Sequence, residues 1–446
     1  MSIKDNFAYP KLMEFFERIS EIPRGSGNEE AVADYIVSEA KCHGLEVIKD
    51  SANNVLVNVP ATAGYEDQSA ILLQGHLDMV CEKNNGVEHD FMKDGIKLIE
   101  KDGWIMADGT TLGADNGVAV ALMLYLMDGG VAAHPAVQCL FTAMEEVGMY
   151  GAKAFDYSLI FAREMINLDG ASPSIILCGC AGGVRTNVKF NVLSREPVPH
   201  KDLLKLTVRG LCGGHSGEDA NKGRSNANKL MGYFLMTLLK STENGIRLIS
   251  INGGEKDNAI PREAEAMIAC NAAECEAILP DIESNIKETL YADDRDFSLS
   301  VCRIEKLDRN AMTEEATERV ICFINSLQNG IIEMNNNMAG MVEYSRNLGV
   351  AVTTDEYVEF SVSTRSAFEY RLDRAEREIE MLAKALGADE VSHHGRYPGW
   401  SYAEVSPLRD RYLEAHRRKY GSEAIITIVH AGLECGFIKK KFPIWI

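Results

Sequence analysis

The segment Ile71-Leu-Leu-Gln-Gly-His76-Leu-Asp78 decides the fold of the first part of the chain. Its apolar run is typical of a buried strand, and the histidine and the aspartate stand where that strand ends. The same arrangement recurs further along, where acidic residues follow apolar runs or open a buried helix. The residues in such positions are His76, Asp78, Asp115, Glu145, Glu146 and Asp169. Because α/β sheets bind ligands at the carboxyl ends of their strands, we expect these side chains to meet at one sheet edge.

An imidazole together with several carboxylates is the ligand set of a zinc hydrolase. The metal needs anionic ligands, and hydrolysis needs a free carboxylate that moves protons. The adjacent pair Glu145-Glu146 can divide these duties, because neighbouring side chains at a strand end point in different directions. Each motif is weak alone, since a His-x-Asp occurs by chance and a Glu-Glu pair is usually a solvated helix start. Their position at separate strand ends is what favours a metal site.

Composition and charge disfavour several other classes. With 446 residues the chain is too long for one ordinary domain, and 46% apolar residues are typical of a globular protein. The formal charge of −20 disfavours nucleic acids and anionic membranes as partners, because both bind basic surfaces. We find no apolar stretch long enough for a membrane span and no secretory signal pattern at the N-terminus, so we expect a cytoplasmic protein. The 11 cysteines lack a disulfide spacing and are interpreted as reduced thiols.

The pattern of elements predicts two domains. Strands and helices alternate up to residue 182, which predicts an α/β sandwich with a largely parallel sheet. After Gly182-Gly183, half-exposed strands and helices indicate antiparallel strands with helices on one face, an α+β arrangement. The last part of the chain returns to a helix and an apolar strand. We therefore predict a catalytic domain from 1–182 and 399–446, with a second domain inserted at 183–398.

The motifs together resemble those of a known family, the co-catalytic zinc amidohydrolases that include carboxypeptidase G, aminoacylase and the carnosinases. The motifs similar to the metal-binding segments of that family are His76-Leu-Asp78-Met, Gly113-Ala-Asp115-Asn-Gly, Glu145-Glu146-Val-Gly and Asn167-Leu-Asp169-Gly. The motifs similar to its lid domain are Gly213-Gly-His215-Ser-Gly and Asn258-Ala-Ile-Pro261. The motifs similar to the bacterial aminoacyl-histidine dipeptidases within it are Glu82-Lys83 and His430-Ala-Gly-Leu-Glu434-Cys-Gly436.

The resemblance implies a zinc-peptidase α/β sandwich with an inserted α+β lid, and hydrolysis of unblocked dipeptides, preferentially aminoacyl-histidine. It implies two Zn²⁺ ions, for which Co²⁺ or Mn²⁺ are possible substitutes, bridged by Asp115 and a water or hydroxide. One ion would take His76 and Asp169. The other would take Glu146 and a histidine near the C-terminus.

The resemblance also implies roles for residues around the metals. Asp78 would hydrogen-bond the far nitrogen of His76 and so fix the orientation of the ring. Glu145 would be the general base that takes a proton from the bridging water and passes it to the leaving amine. His215, from the lid, would stabilise the developing oxyanion.

Substrate contacts and partners follow from the same resemblance. Asn258 and Arg365 would grip the carboxylate of a small peptide substrate, because arginine matches a carboxylate with two hydrogen bonds. For Arg365 an exposed surface position is an equal alternative. Glu434 would meet the free amino group of the substrate. Since family members dimerise through the inserted domain, we expect a homodimer.

The family pattern continues beyond Gly436 through another strand and a final helix, and this continuation carries the histidine of the second zinc ion. The end of the chain, Phe437-Ile-Lys-Lys-Lys-Phe-Pro-Ile-Trp-Ile446, does not resemble it. We therefore expect a truncated catalytic domain in which the second zinc site is incomplete. His430 is the best replacement, but we expect no substitution.

Two alternatives stay open from the sequence. One is a deacylase or aminopeptidase of the same architecture, because lid residues rather than metal ligands set specificity. The other is a truncated product with impaired activity.

Overall fold

A computed structural model of the chain describes residues 7–170, 172–192, 195–196, 202–305 and 310–442. The first residues, on which the prediction of no secretory signal rests, and the final residues 443–446 of the predicted truncated end lie outside these ranges. The chain divides into two compact units. The first unit comprises Met1–Cys178, Ala403–Thr427 and Leu433–Ile446, and the second comprises Gly179–Tyr402 and Ile428–Gly432. Within the described ranges, we find no helix with the length and apolar character of a membrane span.

Helices and groups of consecutive strands follow one another along the chain. The helices are α1 (Pro10–Ser20), α2 (Glu30–Cys42), α3 (Ala114–Met127), α4 (Tyr150–Ala154), α5 (Ala227–Ser241), α6 (Ala272–Thr289), α7 (Glu314–Ser326), α8 (Glu369–Ala385), α9 (Pro407–Tyr420) and α10 (Glu434–Lys441). The strands up to residue 200 are β1 (Glu46–Lys49), β2 (Val55–Val59), β3 (Ile71–His76), β4 (Leu98–Lys101), β5 (Trp104–Ala107), β6 (Val137–Thr142), β7 (Glu164–Asn167), β8 (Ile175–Cys180), β9 (Gly182–Asn191) and β10 (Arg195–Glu196). The later strands are β11 (Asp202–Arg209), β12 (Gly214–His215), β13 (Arg247–Gly253), β14 (Ala259–Ile260), β15 (Ala264–Cys270), β16 (Ser298–Ile304), β17 (Ala311–Met312), β18 (Gly330–Met334), β19 (Val342–Thr353), β20 (Tyr357–Ser366), β21 (Glu390–Tyr397) and β22 (Ile425–Val429).

The first unit is built on a sheet of strand order β1-β2-β6-β3-β7. β3 runs parallel to both β6 and β7, whereas β1 pairs antiparallel with β2 and β2 with β6. The sheet is therefore mixed, and the prediction of a largely parallel sheet is correct only for β6, β3 and β7. In this register His76 lies opposite Thr142, and Gln74 lies opposite Asn167. The carboxyl ends of the three parallel strands thus lie side by side, and the loops that follow them begin at the same edge.

Apolar side chains of the helices bury one face of this sheet. Phe16 and Ile19 of α1 pack with Val120 and Met123 of α3 and with the strand residue Val57 in one core cluster. α3 is apolar nearly all round, as its sequence indicates, because it lies between α1 and the sheet. It begins next to Asp115, so the packing of this helix fixes where that carboxylate emerges.

The second unit is an α+β unit, as predicted. Its large sheet has the strand order β16-β11-β15-β13-β19-β20-β9-β21, with β18 paired to β19, and each of these pairings is antiparallel. Apolar residues of α5, α6, α7 and α8 pack on it in one core cluster. A short separate ladder joins β12 to β14 and places His215 opposite Ala259.

Candidate active site

His76 is the centre of the acidic edge in the first unit. Its side chain is 1% exposed, and its Nδ1 lies 3.0 Å from the carbonyl oxygen of Asp78 and 3.4 Å from that residue's Oδ1. Its Nε2 faces two other carboxylates, 3.0 Å from Asp115 Oδ1 and 3.9 Å from Asp169 Oδ2. Burial opposes a charge on the ring, but the hydrogen bonds with Asp115 and Asp78 outweigh it and raise the pKa of His76 to about 11. The ring therefore lies in an excess of negative charge, the surroundings that a bound cation needs.

The predicted metal ligands are brought together at this edge. Ligand atoms of His76, Asp115 and Glu146 all lie within 4.8 Å of one another, and Asp169 adjoins them. Burial and the charge of Asp115 raise the pKa of Glu146, and burial together with Asp115 raises the pKa of Asp169 to about 6. The hydrogen bond with His76 lowers the pKa of Asp115. One imidazole and three carboxylates crowded in this way fit a divalent metal, because a cation would offset their mutual repulsion. We call these four residues the metal cluster.

Glu145 lies beside the metal cluster. Burial raises the pKa of Glu145 to about 8, and the carboxylates of Glu434 and Asp169 add to that shift. A carboxyl group that titrates near neutral pH can both accept and release a proton under ordinary conditions. This protonation behaviour suits a general base.

Asp78 supports the loop that carries Glu145 and Glu146. Its Oδ1 accepts the backbone N–H of Glu145 at 2.9 Å, and its Oδ2 accepts that of Glu146 at 3.1 Å. Burial alone would raise the pKa of Asp78, but the hydrogen bonds from His76, Glu145 and Ser26 lower it overall. At Nδ1 of His76 the nearest acceptor is the main-chain carbonyl of Asp78 at 3.0 Å, and the predicted carboxylate oxygen lies farther away, at 3.4 Å. The carboxylate instead joins the histidine loop to the glutamate loop, a contact that the sequence did not predict.

Glu434, the residue predicted to meet the substrate's amino group, is buried close to the metal cluster. It is 2% exposed, and its Oε2 accepts hydrogen bonds from Gln74 Nε2 at 2.6 Å and Thr142 Oγ1 at 2.8 Å. Burial raises the pKa of Glu434 to about 7. Asn167 completes the group by donating to Gln74 Oε1 at 2.6 Å. The Glu434 carboxylate thus lies beneath the strand ends. The polar Gln74 inside the otherwise apolar β3 was the sequence feature that could have indicated a buried polar partner.

Asn116 is a further residue that the sequence analysis missed. Its Oδ1 accepts the backbone N–H of His76 at 3.1 Å, and its Nδ2 donates to the carbonyl of Leu168 at 3.2 Å. The side chain therefore fastens the end of β3 to the segment that leads to Asp169. An asparagine directly after a candidate ligand in a glycine-rich turn was the available signal.

In the second unit, the structure brings His215 and Arg365 together. The backbone N–H of Glu218 donates to His215 Nδ1 at 3.1 Å, so the hydrogen of a neutral ring is carried by Nε2. Burial and the charge of Arg365 lower the pKa of His215, which keeps the ring neutral. Arg365 Nη2 lies 3.3 Å from His215 Nε2. Two N–H donors stand side by side, and an anionic oxygen would accept from both. We call His215 and Arg365 the donor pair.

Two further residues, Tyr397 and Asn258, lie next to the donor pair. Arg365 is 6% exposed, so the alternative of an exposed surface arginine is wrong. Its Nη1 donates to the hydroxyl of Tyr397 at 2.9 Å, a partner that the sequence did not indicate. Asn258 lies next to the strand that pairs with His215, and its carbonyl accepts the N–H of Ser216 at 2.8 Å.

His430, considered as a replacement ligand, belongs to the second unit. Its Nε2 is 2.7 Å from Ser345 Oγ, and burial with the charge of Arg365 lowers the pKa of His430 to about 3. Among the described residues, His76 is the histidine of the metal cluster, and His430 is not part of it.

A mixed α/β unit that gathers an imidazole and carboxylates at its strand ends, together with an antiparallel α+β unit, defines a two-domain metallopeptidase. A profile described as a peptidase dimerisation domain matches residues 206–296, and one described as peptidase family M28 matches 54–179. The chain is 37% identical over 436 residues to the cytosol non-specific dipeptidase of Escherichia coli (strain K12), covering 97% of this chain and 89% of that protein. The chain belongs to the family of metallodipeptidases that this enzyme represents.

Solved structures agree with this assignment. The aminoacylhistidine dipeptidase from Vibrio alginolyticus superposes with a TM-score of 0.92 at 33% identity, covering 99% of this chain and 90% of that chain. The aminopeptidase PepT from Bacillus cereus shares the fold, with a TM-score of 0.53 at 15% identity over 97% of this chain and 88% of its own. The prediction of a truncated chain is not confirmed by these alignments, because the chain covers about nine tenths of both dipeptidases. The alternative of an impaired product is accordingly not favoured.

Proposed function

We propose that the chain hydrolyses unblocked dipeptides, preferentially aminoacyl-histidine, in the cytosol with zinc as its metal. The observation that carries this proposal is the meeting of His76, Asp115 and Glu146 beside Glu145, which lies outside that ligand group. The names of two relatives, a cytosol non-specific dipeptidase and an aminoacylhistidine dipeptidase, support the substrate class and the compartment.

The metal cluster would hold two ions. His76 and Asp169 would hold one and Glu146 the other, with Asp115 shared between them. When bound, zinc polarises the scissile carbonyl and lowers the pKa of a water molecule. The chain itself then has to move one proton. Glu145 accepts it from the attacking water and returns it to the leaving amine, and its burial, which raises its pKa in the metal-free chain, suits a carboxyl that moves protons. Asp78 keeps Glu145 in place by holding its backbone N–H.

The donor pair would bind the oxygens of the substrate. The Nε2–H of His215 would stabilise the oxyanion that develops on the scissile carbonyl. Arg365 and Asn258 would bind the C-terminal carboxylate. Among the described residues Arg365 forms no salt bridge, and a buried guanidinium of this kind gains most from an anionic ligand. Glu434 would meet the free amino group of the substrate: its Oε2 is held by Gln74 and Thr142, and its Oε1 is buried with no hydrogen-bond partner among the described residues.

The profile match to a peptidase dimerisation domain over 206–296 supports a homodimer formed through the second unit. This region includes α5 and α6, with the strands β13 and β15 between them. Sedimentation of the purified chain would test it, and a monomer at working concentrations would contradict it.

The test of the activity is hydrolysis of Ala-His by the purified, zinc-supplemented chain. Glu145→Gln is the matched control, because it keeps the size of the side chain and removes the base. Turnover by the parent alone supports the proposal, and equal turnover by the variant would contradict it. N-acetyl-Ala-His and a tripeptide in the same assay separate a dipeptidase from a deacylase or an aminopeptidase.

A further inference from the structure

We propose that residues 24–29, with the sequence Arg-Gly-Ser-Gly-Asn-Glu, form a brace that sets the spacing of three of the four loops that carry the metal cluster and its base, all except the loop of Asp169. The three loops are those of His76 to Asp78, Gly113 to Asp115 and Met144 to Glu146. The inference rests on the metal centre proposed above and adds positioning residues to it. None of the brace residues reaches the ligand atoms of the cluster in the contacts of the described chain, so each acts through a loop.

Arg24 joins the first loop to the second. Its side chain is 2% exposed, and its Nη1 donates to the carbonyl oxygens of Leu77 at 2.8 Å and Asp78 at 3.3 Å. Its Nη2 donates to the carbonyl of Gly113, two residues before Asp115. A Cβ at Gly113 would lie 2.5 Å from that same Nη2, so glycine is needed for the guanidinium to approach. One buried side chain thereby fixes the distance between two backbone segments that carry ligands.

Ser26 and Glu29 extend the brace to the third loop. Ser26 Oγ donates to Asp78 Oδ2 at 2.7 Å, the oxygen that also holds the N–H of Glu146. Glu29 Oε1 accepts the N–H of Gly27 at 2.9 Å and the N–H of Met144 at 3.1 Å, directly before Glu145. All three loops are therefore fastened to one short segment. Because outer contacts of this kind set the orientation of ligands, they influence metal affinity without touching the metal.

The positive charge of Arg24 allows the inference to be tested, because an effect of its charge and an effect of its contacts on cation affinity have opposite signs. Arg24 lies close enough to Asp78 and Asp115 for their charges to interact with its own. If it acted through charge alone, its removal would tighten the binding of a cation, since a nearby positive charge repels it. If it acts as a brace, its removal weakens cation binding, because the ligand loops separate.

Lys229 in the second unit provides a matched control. Like Arg24 it is a cation whose donors go to backbone carbonyls, those of Ile324, Asn325 at 3.3 Å and Leu327 at 2.7 Å. It is partly buried, and these contacts hold the end of α7. Lys229→Met therefore removes a comparable set of contacts from a region that carries none of the cluster residues.

The experiment measures zinc affinity by chelator competition, and the visible absorption of bound cobalt, for the parent, Arg24→Met, Ser26→Ala and Lys229→Met. We expect Arg24→Met to weaken affinity by about 10- to 100-fold and to change the cobalt spectrum. Ser26→Ala should weaken it less, and Lys229→Met should lower thermal stability while leaving affinity and spectrum unchanged. Equal or tighter affinity in folded Arg24→Met overturns the brace.

Two further outcomes keep the test decisive. If circular dichroism shows that Arg24→Met does not fold, Ser26→Ala decides alone, and parental affinity in that variant overturns the inference. If the parent itself binds neither zinc nor cobalt, the proposed metal centre fails, which is distinct from a failure of the brace.

Discussion

The metal cluster and the donor pair are built in opposite ways. The cluster gathers carboxylates from the ends of neighbouring parallel strands and the start of one helix, and its excess negative charge suits a cation. The donor pair takes His215 from a short ladder and Arg365 from the end of an inner strand of the antiparallel sheet, and its N–H groups share no acceptor among the described residues. The difference indicates a division of labour. The first region should govern proton transfer in the chemical step. In the second region, Arg365 should govern binding of the substrate's carboxylate, and His215 should stabilise the oxyanion of the transition state.

The largest expected effect concerns Glu145. Replacing it by glutamine should lower kcat by about 100- to 10,000-fold, because the proton of the attacking water then has no acceptor. KM should change little, since Glu145 belongs to the region assigned to chemistry. Steady-state kinetics with Ala-His, together with metal analysis, check both statements. If the variant also lost its metal, Glu145 would be a metal ligand, which would contradict its assignment as the general base.

Arg365 should show the complementary pattern. Arg365→Met removes charged hydrogen bonds to the carboxylate, which contribute about 1.5–3 kcal/mol, and should raise KM by roughly 10- to 100-fold. The matched substrate is Ala-histidinamide, which has no carboxylate and should be cleaved about equally by parent and variant. Arg365→Lys keeps the charge and should recover part of the loss. A fall in kcat with an unchanged KM is the result that argues against the assignment.

The same contrast explains what could be predicted from the sequence. Cluster residues such as His76 and Asp169 follow apolar runs, and parallel neighbours bring such ends together without any knowledge of register. The partners of Arg365 depend on the pairing of antiparallel strands, and nothing near Tyr397 in the sequence indicates that contact. Glu434 follows a loop-like glycine motif, so its burial beneath β3 becomes visible only when α10 is placed.

The two regions should also respond to pH with opposite signs. In the metal-free chain the pKa values of Glu145, Glu434 and Asp169 are raised to about 8, 7 and 6, so the folded state holds protons that the unfolded state has released. Their contribution to stability is full below the unfolded pKa of about 4 and is lost as the pH rises towards 8. Lowered pKa values, as for His215 and for His430 at about 3, contribute stability above pH 6.5 that is lost as the pH falls.

Hydrogen exchange, corrected for the intrinsic effect of pH on the exchange rate, measures the two units separately. Between pH 5 and pH 8 the first unit of the metal-free chain should lose protection around β3 and β6, and the second unit should gain it around β12 and β20. Zinc should reduce the loss in the first unit, because a cation favours the ionised carboxylates. Parallel changes in both units would contradict the opposite electrostatics assigned to them.

The smallest expected effect tests whether the donor pair needs its support. Tyr397 carries no charge that could bind a substrate carboxylate. Its hydroxyl accepts a hydrogen bond from Arg365 Nη1 at 2.9 Å and so holds the guanidinium beside His215. Tyr397→Phe removes this one hydrogen bond, about 1 kcal/mol, and should raise KM for Ala-His about fivefold with kcat little changed. Ala-histidinamide should again be insensitive, because the effect acts through Arg365. In the Arg365→Met background the tyrosine substitution should add nothing, since its partner is already gone. Additive losses in the double variant would show that Tyr397 acts independently, and the donor pair would then not depend on it.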